Sequence, residues 1–555
     1  MDDKRTLIAF LLIGVIILLM PYYSEWLGIS SPASKHPSSS QEIPSSSSSG
    51  PTPSSGSRTN SSFADVTPPV QQGSTLAASE NRSSFAPTDI VVNTPIQKIT
   101  LSTAGGTITS VQLPKFTKYG NKTLVELVPP GGRGLVLTVT QGDKEIDFST
   151  VEFLPDNDMI NLLPGQQATL HMVAQLGEGV SVEKILHFHS DHYGIETEIS
   201  YSGFNEDSEV FLGWGGGIGR TEKSEETDVS DMHALAFMNE DLTELKLKKD
   251  DAEQKWDDKG QLKLTGIRNK YFLTALAPLD EGHSRVFLNG KHAGLEVPNF
   301  SYRMGTRMGS SGKWKNLLYL GPLDYEELSS YHKELERAMN LGWPVIRQLS
   351  ALLMAVFVAA YNYIPNFGWV IILFATAIKA LVYPLSQKSF ESASKMQQLQ
   401  PKLIAMKEKF KSDPQRLSRE TMKLYKEEGI NPLGGCLPML LQMPIFFSLY
   451  NVFSNTIELR QAPFILWIDD LSRPDEVLIA GFGLHVLPLF MAVSMFVQQK
   501  MTMKDPKQAA LVYLMPIMMI FIFWKLSSGL VLYWTIFNLL SIAQQWLTVK
   551  FNTSK

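Results

Sequence analysis

One lysine stands inside an otherwise apolar run. In FATAIKALVYPLS, residues 374–386, Lys379 follows Phe374, Ala377 and Ile378 and precedes Ala380, Leu381 and Val382. In a helix it lies about 10 Å from Ser386, at roughly 1.5 Å per residue. A lysine stem covers only part of that distance, so snorkelling to the nearer interface is an incomplete account. Holding the charge toward hydrocarbon costs roughly 2.5–3.5 kcal/mol on insertion scales. No acidic residue lies near this depth in the other apolar runs. The pattern favours a cation facing a cavity wet from one side, where it attracts a group of opposite charge.

Uncharged polar residues recur in the same half of the chain. Gln442, Asn451 and Ser454 interrupt one apolar run, and Ser494 and Gln498 another. Thr535, Asn538, Ser541 and Gln545 share one face of a third at helical spacing. A single such residue is an ordinary interhelical hydrogen bond, worth around 1 kcal/mol. Several stripes beside a lysine suggest a shared hydrated cavity. Methionines crowd the region as well (Met439, Met443, Met491, Met495, Met515, Met518 and Met519). Their flexible thioethers suit varied apolar partners, although ordinary packing explains any one of them.

Other constellations are weaker. HFHSDH brings His187, His189 and His192 together, with His187 and His189 on one strand face, but beyond Asp191 nothing completes a metal set. GWGGGIG, Gly213–Gly219, fits neither phosphate-loop nor dinucleotide spacing and reads as a turn or bulge. The run DLTELKLKKDDAEQKWDDKG reads as a solvated edge or loop. A single cysteine, Cys436, rules out an internal disulfide framework. A net charge of −5 gives no basic footprint for nucleic acid. No Ser/His/Asp set or paired carboxylates occur in the apolar half, so no catalytic residue, metal or cofactor is expected.

Six segments must position these residues. Residues 1–28 carry Lys4 and Arg5 before an apolar run, then Tyr22, Tyr23 and Trp26, which reads as an uncleaved signal anchor. Residues 29–87 are rich in Ser, Pro and Gly and read as a flexible tether. From 88 to 325 the pattern has period two, as in YGIETEISY, with turn signals at Gly105-Gly106 and Pro129–Gly132. Many short alternating strands predict a large antiparallel β-sandwich outside the cytoplasm. Residues 326–364 form a connector whose stretch 343–363 reads as an interfacial helix, with Trp343, Arg347 and Gln348 on its wetter side, a full membrane span being the alternative. Residues 365–548 hold apolar runs at about 367–385, 432–454, 485–500, 509–526 and 528–548, and 549–555 form a short tail. With the anchor these make six membrane spans.

The loop at 386–431 is strongly basic, while that at 457–484 is acidic. The positive-inside rule then makes the first loop and both termini cytoplasmic. The basic loop has its own pattern. Met396, Leu399, Leu403, Met406 and Phe410 keep a three-four spacing, and Leu417, Thr421 and Leu424 continue it after Asp413-Pro414, an N-cap with proline at N1. This predicts a helical hairpin with an apolar seam, kinked at Pro401. Its basic face suits ribosomal RNA, targeting factors or anionic headgroups.

The motifs YPLSQKSFESASKMQQLQPKL, NPLGGCLPMLLQMPIFFSLY, ELRQAPFILWIDDLS and SSGLVLYWTIFNLLSIAQQ, spanning 383–545, resemble the YidC membrane protein insertases, relatives of the mitochondrial and chloroplast insertases. The β-domain and tether resemble the long Gram-negative form, whose periplasmic domain is a β-supersandwich. The resemblance implies a multi-pass protein of the bacterial inner membrane with a five-helix core. It implies insertion of nascent membrane proteins, alone or with the Sec translocon, without a nucleotide. It also implies a hydrophilic groove with one positive charge that attracts acidic substrate segments. Lys379 stands where that family usually has arginine, which keeps the charge but loses the planar fork. Gln442 and Trp534 match groove positions, and Thr376 and Asn538 are further candidates. Lys395, Lys402, Lys407, Lys409, Arg416 and Arg419 of the hairpin are the expected contacts for ribosome and signal-recognition machinery, and membrane lipids surround the core. The rival readings are a secondary transporter, which calls for internal repeats that the sequence lacks, and an exported carbohydrate-binding protein with a membrane anchor, which rests on fold alone.

Overall fold

The computed structural model describes residues 85–553, apart from 121, 143, 178, 223–229, 248–250, 281, 293–298, 308, 412, 430–436, 480 and 503–508. The signal anchor at 1–28, nearly all of the tether at 29–87, and Cys436 lie outside the described residues. The chain divides into two compact units. One ends at Pro322 and takes in Ser329–Ala338, and the other comprises Leu323–Leu328 and Met339–Lys555.

The first unit is built of strands paired almost wholly antiparallel. One layer runs through Gln167–Gly177, Val180–His189, Gly194–Ser202, Ser311–Pro322 and Phe272–Pro278. A second runs through Lys144–Asp147, Arg133–Gln141, Ser208–Gly215, Asn299–Arg307 and His283–Lys291. The long strand Glu253–Arg268 joins them: its first half pairs with His283–Lys291 and its second with Phe272–Pro278 and His233–Met238. Period-two burial drives this. In Val180–His189, Val182, Lys184, Leu186 and Phe188 face inward while His187 and His189 face the wetter side. His187 Nδ1 lies 2.9 Å from Thr169 Oγ1, and no group of three metal-ligating residues forms among the described residues.

Two local readings left a choice that the structure resolves. The glycine run does contain a bulge, between Gly213 and Gly215, and Gly216 and Gly217 have φ of 97° and 85°, which glycine alone adopts at little cost. Of the two readings of the charged run from Asp241, a solvated edge or a loop, the described residues fit the edge. The run forms the strand Asp241–Leu245 and the exposed first half of Glu253–Arg268. Its charges alternate outward from a hydrogen-bonded ladder, and the pairing overrides their low strand propensity.

The second unit is helical. A short helix α1 (Tyr325–Ser330) precedes α2 (Pro344–Tyr361). There follow α3 (Phe367–Gln398), α4 (Gln400–Lys409), α5 (Pro414–Glu427) and α6 (Leu437–Asn455). After an irregular loop come α7 (Val486–Thr502), α8 (Ala509–Phe523) and α9 (Ser528–Thr553). The helix starts at α7 and α8 fall within a residue of the apolar runs. Three expectations shift. The span expected to end at 385 continues as unbroken helix through Pro384 to Gln398, so the first arm of the hairpin grows directly out of the span. Pro401 does not kink a helix; it sits in the first turn of α4, where its missing N–H costs nothing. The expected tail at 549 is helical through Thr553.

An aromatic core ties the helices together. Phe357 of α2 packs on Phe374 of α3 at 5.0 Å and on Phe453 of α6 at 5.5 Å, and Phe374 meets Tyr533 of α9 at 6.1 Å between centroids. The outward faces are apolar too: Leu373 and Leu381 of α3, Phe490 and Val493 of α7, and Phe521 of α8 are all about half exposed or more. A bundle that is apolar outside as well as inside is solvated by lipid, not water. Pro344–Tyr361, Phe367–Ser392 and Ser528–Thr548 are each long and apolar enough to cross a membrane. The first of these is the stretch read as interfacial. It buries Ile346, Ser350, Leu353, Met354 and Phe357. Its free face carries Val345, Leu352 and Val356 beside Trp343 and Gln348, so that face is more apolar than expected.

Candidate functional site

Lys379 lies on the inner face of α3, 7% exposed. Its ammonium donates to Ser541 Oγ of α9 at 2.7 Å, and that hydroxyl donates to Phe537 O at 2.8 Å. The ring of Phe537 stands 4.8 Å from Nζ and that of Phe390, about three turns along α3, stands 6.0 Å from it. An ammonium has three donors. The hydrogen bonds described supply it one oxygen, and no described ion pair involves it. This charge is therefore held in place by one hydroxyl and two rings among the described groups.

A line of polar contacts runs along α9 on either side of that lysine. Asn538 is buried and donates to Ser494 Oγ of α7 at 3.3 Å. Thr548 Oγ1 lies 3.1 Å from Gln387 Oε1 of α3. Two turns before Ser541, the buried Tyr533 hydroxyl lies on the side of Gln442 of α6 without a hydrogen bond joining them. The line of hydrogen bonds thus joins α3, α7 and α9. Ser541 belongs to the stripe Thr535, Asn538, Ser541 and Gln545 that helical spacing marks out. Its bond to Lys379 needs the structure, because spacing on one helix does not say which neighbour faces it. The Phe390 and Phe537 rings carry no sequence signal beyond hydrophobicity.

Not every candidate joins this line. Thr376 is exposed, its hydroxyl donating to Ile372 O of its own helix at 2.8 Å. Trp534 is half-buried and packs against Phe446 of α6 at 5.4 Å and Phe523 of α8 at 5.9 Å. It belongs to an aromatic cluster beside the polar line.

The hairpin α4–α5 carries a second set of candidates. Asp413 caps α5 by accepting from the Arg416 N–H at 3.0 Å, with Pro414 behind it, as the sequence signals. Leu403, Met406, Leu417 and Leu424 are half-covered in the seam, while Lys395, Lys402, Lys407, Lys409, Arg416 and Arg419 are exposed. Lys402 reaches Glu428 at 2.7 Å and closes the hairpin. Lys409 and Arg416 lie 5.5 and 5.1 Å from the Phe410 ring, which keeps two positive charges together at the tip.

Comparison with known proteins decides the family. A family model described as "60Kd inner membrane protein" matches residues 359–555, and one described as "YidC periplasmic domain" matches 89–353. The membrane protein insertase YidC of Chlorobium luteolum is 31% identical, covering 98% of this chain and 94% of its own. The chain belongs to the YidC membrane protein insertase family. The YidC insertase of Chlorobium phaeovibrioides is 34% identical over 86% of each chain. A solved active YidC insertase is 20% identical and covers 82% of this chain and 91% of its own, with a TM-score of 0.36. The family sets the activity: this is an inner-membrane protein that inserts membrane proteins. The β-sandwich unit and the lipid-solvated helices are the two parts that the YidC models match.

Proposed function

We propose that insertion proceeds through a polar seam between α3, α7 and α9, with Gln442 of α6 beside it, in which Lys379 is the attractant for acidic substrate segments. The observation that carries this reading is a buried ammonium with no described ion pair on the inner face of a lipid-solvated bundle. A carboxylate entering the seam pairs with that charge, and in low dielectric the pairing is worth more than in water. The substrate's own apolar segment then partitions into lipid, which drives release. The seam lowers the barrier to moving a polar segment; it does not need a nucleotide. The same reading has six spans with the anchor at 1–28, both termini and the hairpin in the cytoplasm, and the β-unit in the periplasm. The exposed cations of α4 and α5 then face ribosome and signal-recognition machinery, and the Sec translocon is a partner for larger substrates. The helix α2 lies at the outer interface.

A photoreactive side chain at Asn538, in the full chain engaged with a stalled single-span nascent protein, tests the path. Cross-links to the nascent chain at Asn538, stronger than at the outward-facing neighbour Leu539, are expected. Cross-links at Leu539 alone would place the substrate on the lipid face and remove the seam from the mechanism.

A further inference from the structure

The loop between α6 and α7 presents apolar side chains that no described residue covers. Its small hairpin pairs Val477–Ile479 with Phe482–Leu484, turning at Gly481 with φ of 85°. Leu478 is 73%, Ile479 54% and Phe482 80% exposed. No charged residue occurs from Val477 to Leu484. Earlier in the same loop Ile465 and Leu466 are exposed, and Leu466 is held at a φ of 61°, a conformation that leucine rarely adopts.

These projections stand on a braced base. Asp475 is buried, and its carboxylate accepts from Trp467 Nε1 at 2.9 Å and from the Leu487 N–H, at the start of α7, at 2.8 Å. Asp475 also receives His485 Nδ1 on its carbonyl. Trp467 stacks on Phe490 of α7 with 18° between the rings. One carboxylate therefore fixes Ile465-Leu466 and the hairpin with respect to α7. A rigid loop that spends its polar groups at its base and points leucine, isoleucine and phenylalanine outward is built to be covered.

We propose that the hairpin Val477–Leu484, with Ile465 and Leu466, is seated in the headgroup–acyl boundary of the bilayer at the α6–α7 end of the helical unit. The proposal rests on the family's membrane location, not on the polar seam. Continuity picks lipid as the occupant. Phe490, Val493 and Val497 carry the exposed apolar stripe directly from this loop down α7, whose face no described helix covers. A two-stranded hairpin this short is marginal by itself in water, and the apolar boundary region supplies the missing packing. The loop would anchor α7 in depth, as a fixed float.

The test uses the full chain with Cys436→Ser as background and a single Phe482→Cys bearing an environment-sensitive fluorophore. It is reconstituted in phosphatidylcholine–phosphatidylglycerol vesicles, with Asp469→Cys as the polar control in the same loop. Lipids spin-labelled near the headgroup should quench the Phe482→Cys probe several-fold more than the control, and aqueous iodide should quench it several-fold less. Leu478→Cys is the second reporter if Phe482→Cys does not fold. Iodide quenching equal to the control, without lipid quenching, would put the hairpin in water and overturn the proposal. Protection from both quenchers, with cross-links to a second copy or to the β-unit, would overturn it in favour of a protein contact.

Discussion

Lys379 of α3 donates to Ser541 of α9 at 2.7 Å, and this bond is the charge's one described acceptor. Another buried lysine shows what a structural arrangement looks like. In the β-unit, Lys184 Nζ donates to Gly105 O, Gly106 O and Leu135 O at 2.8, 3.1 and 2.6 Å, with the Phe153 ring 5.0 Å away. Three donors meet three carbonyls, so nothing is left to recruit a ligand. Lys379 has one described hydroxyl in place of three carbonyls.

Removing the single acceptor should therefore be felt at the site. Ser541→Ala deletes a hydrogen bond to a charged group, of the order of 1.5–3 kcal/mol. Thermal unfolding of the full protein in detergent should show a lowered midpoint. Ser541→Thr, which keeps a hydroxyl, should restore most of it. If alanine and threonine unfold alike, the bond contributes nothing and Lys379 is held by the rings.

Lys184 should behave as a structural group with a pH signature. Burial pushes its ammonium down to about 7. The folded value lies below the unfolded one, so protonation favours unfolding between them. Stability should rise as pH climbs from about 7 toward the ordinary lysine range. Lys184→Met removes the donors from three buried carbonyls and should cost about 3 kcal/mol or more. It should also abolish the alkaline gain in unfolding midpoint between pH 7 and 9.5. A variant that keeps that gain would assign it to another group.

A histidine in the same unit sets the acid limit. His233 is buried beside Arg268 and Lys246, and burial followed by those cations pushes it down to about 3. The unfolded chain takes up that proton near pH 6.5 and the folded one does not. Stability should fall as pH drops from about 6.5 toward 3. His233→Gln should flatten that part of the unfolding profile, and an unchanged slope would contradict the assignment.

The hairpin offers a separable prediction. Asp413→Ala removes the N-cap of α5 and should cost about 1 kcal/mol, read as faster amide exchange in its first turn. Exchanging Lys407, Lys409 and Arg416 for glutamate should weaken co-sedimentation with ribosomes, with a salt dependence lost in the variant. Insertion of a substrate presented without ribosomes should be unaffected. Equal ribosome binding by both proteins would remove that face as a contact.

Much of this architecture is legible in the residues. Apolar runs mark α7, α8 and α9 to within a few residues, and Asp413-Pro414 opens α5. What escapes reading is set by neighbours far away in the chain. For the charged segment from Asp241 the sequence leaves edge and loop open, and the strand wins because Glu253–Arg268 finds a partner in each layer. The apolar run stops at about 385, yet the helix carries on through Pro384 to Gln398. Lys184 shares the buried phase of Val182, Leu186 and Phe188, a period-two signal that was open to reading; its three carbonyls were not. At the polar seam, the stripe of α9 is visible in spacing, whereas the choice of Ser541 as partner depends on the crossing of two helices 162 residues apart in sequence.

The central claim is that the charge of Lys379 recruits acidic substrate segments. Protease-protected insertion into liposomes, with a single-span substrate bearing an acidic or a neutralised tail, measures this directly. Wild type, Lys379→Arg and Lys379→Ala are compared. The account expects alanine to lose insertion of the acidic-tailed substrate by tenfold or more, the equivalent of about 1.4 kcal/mol, while arginine retains it and the neutral tail is indifferent. Equal insertion of both substrates by Lys379→Ala would contradict the account and leave the charge as a buried structural group.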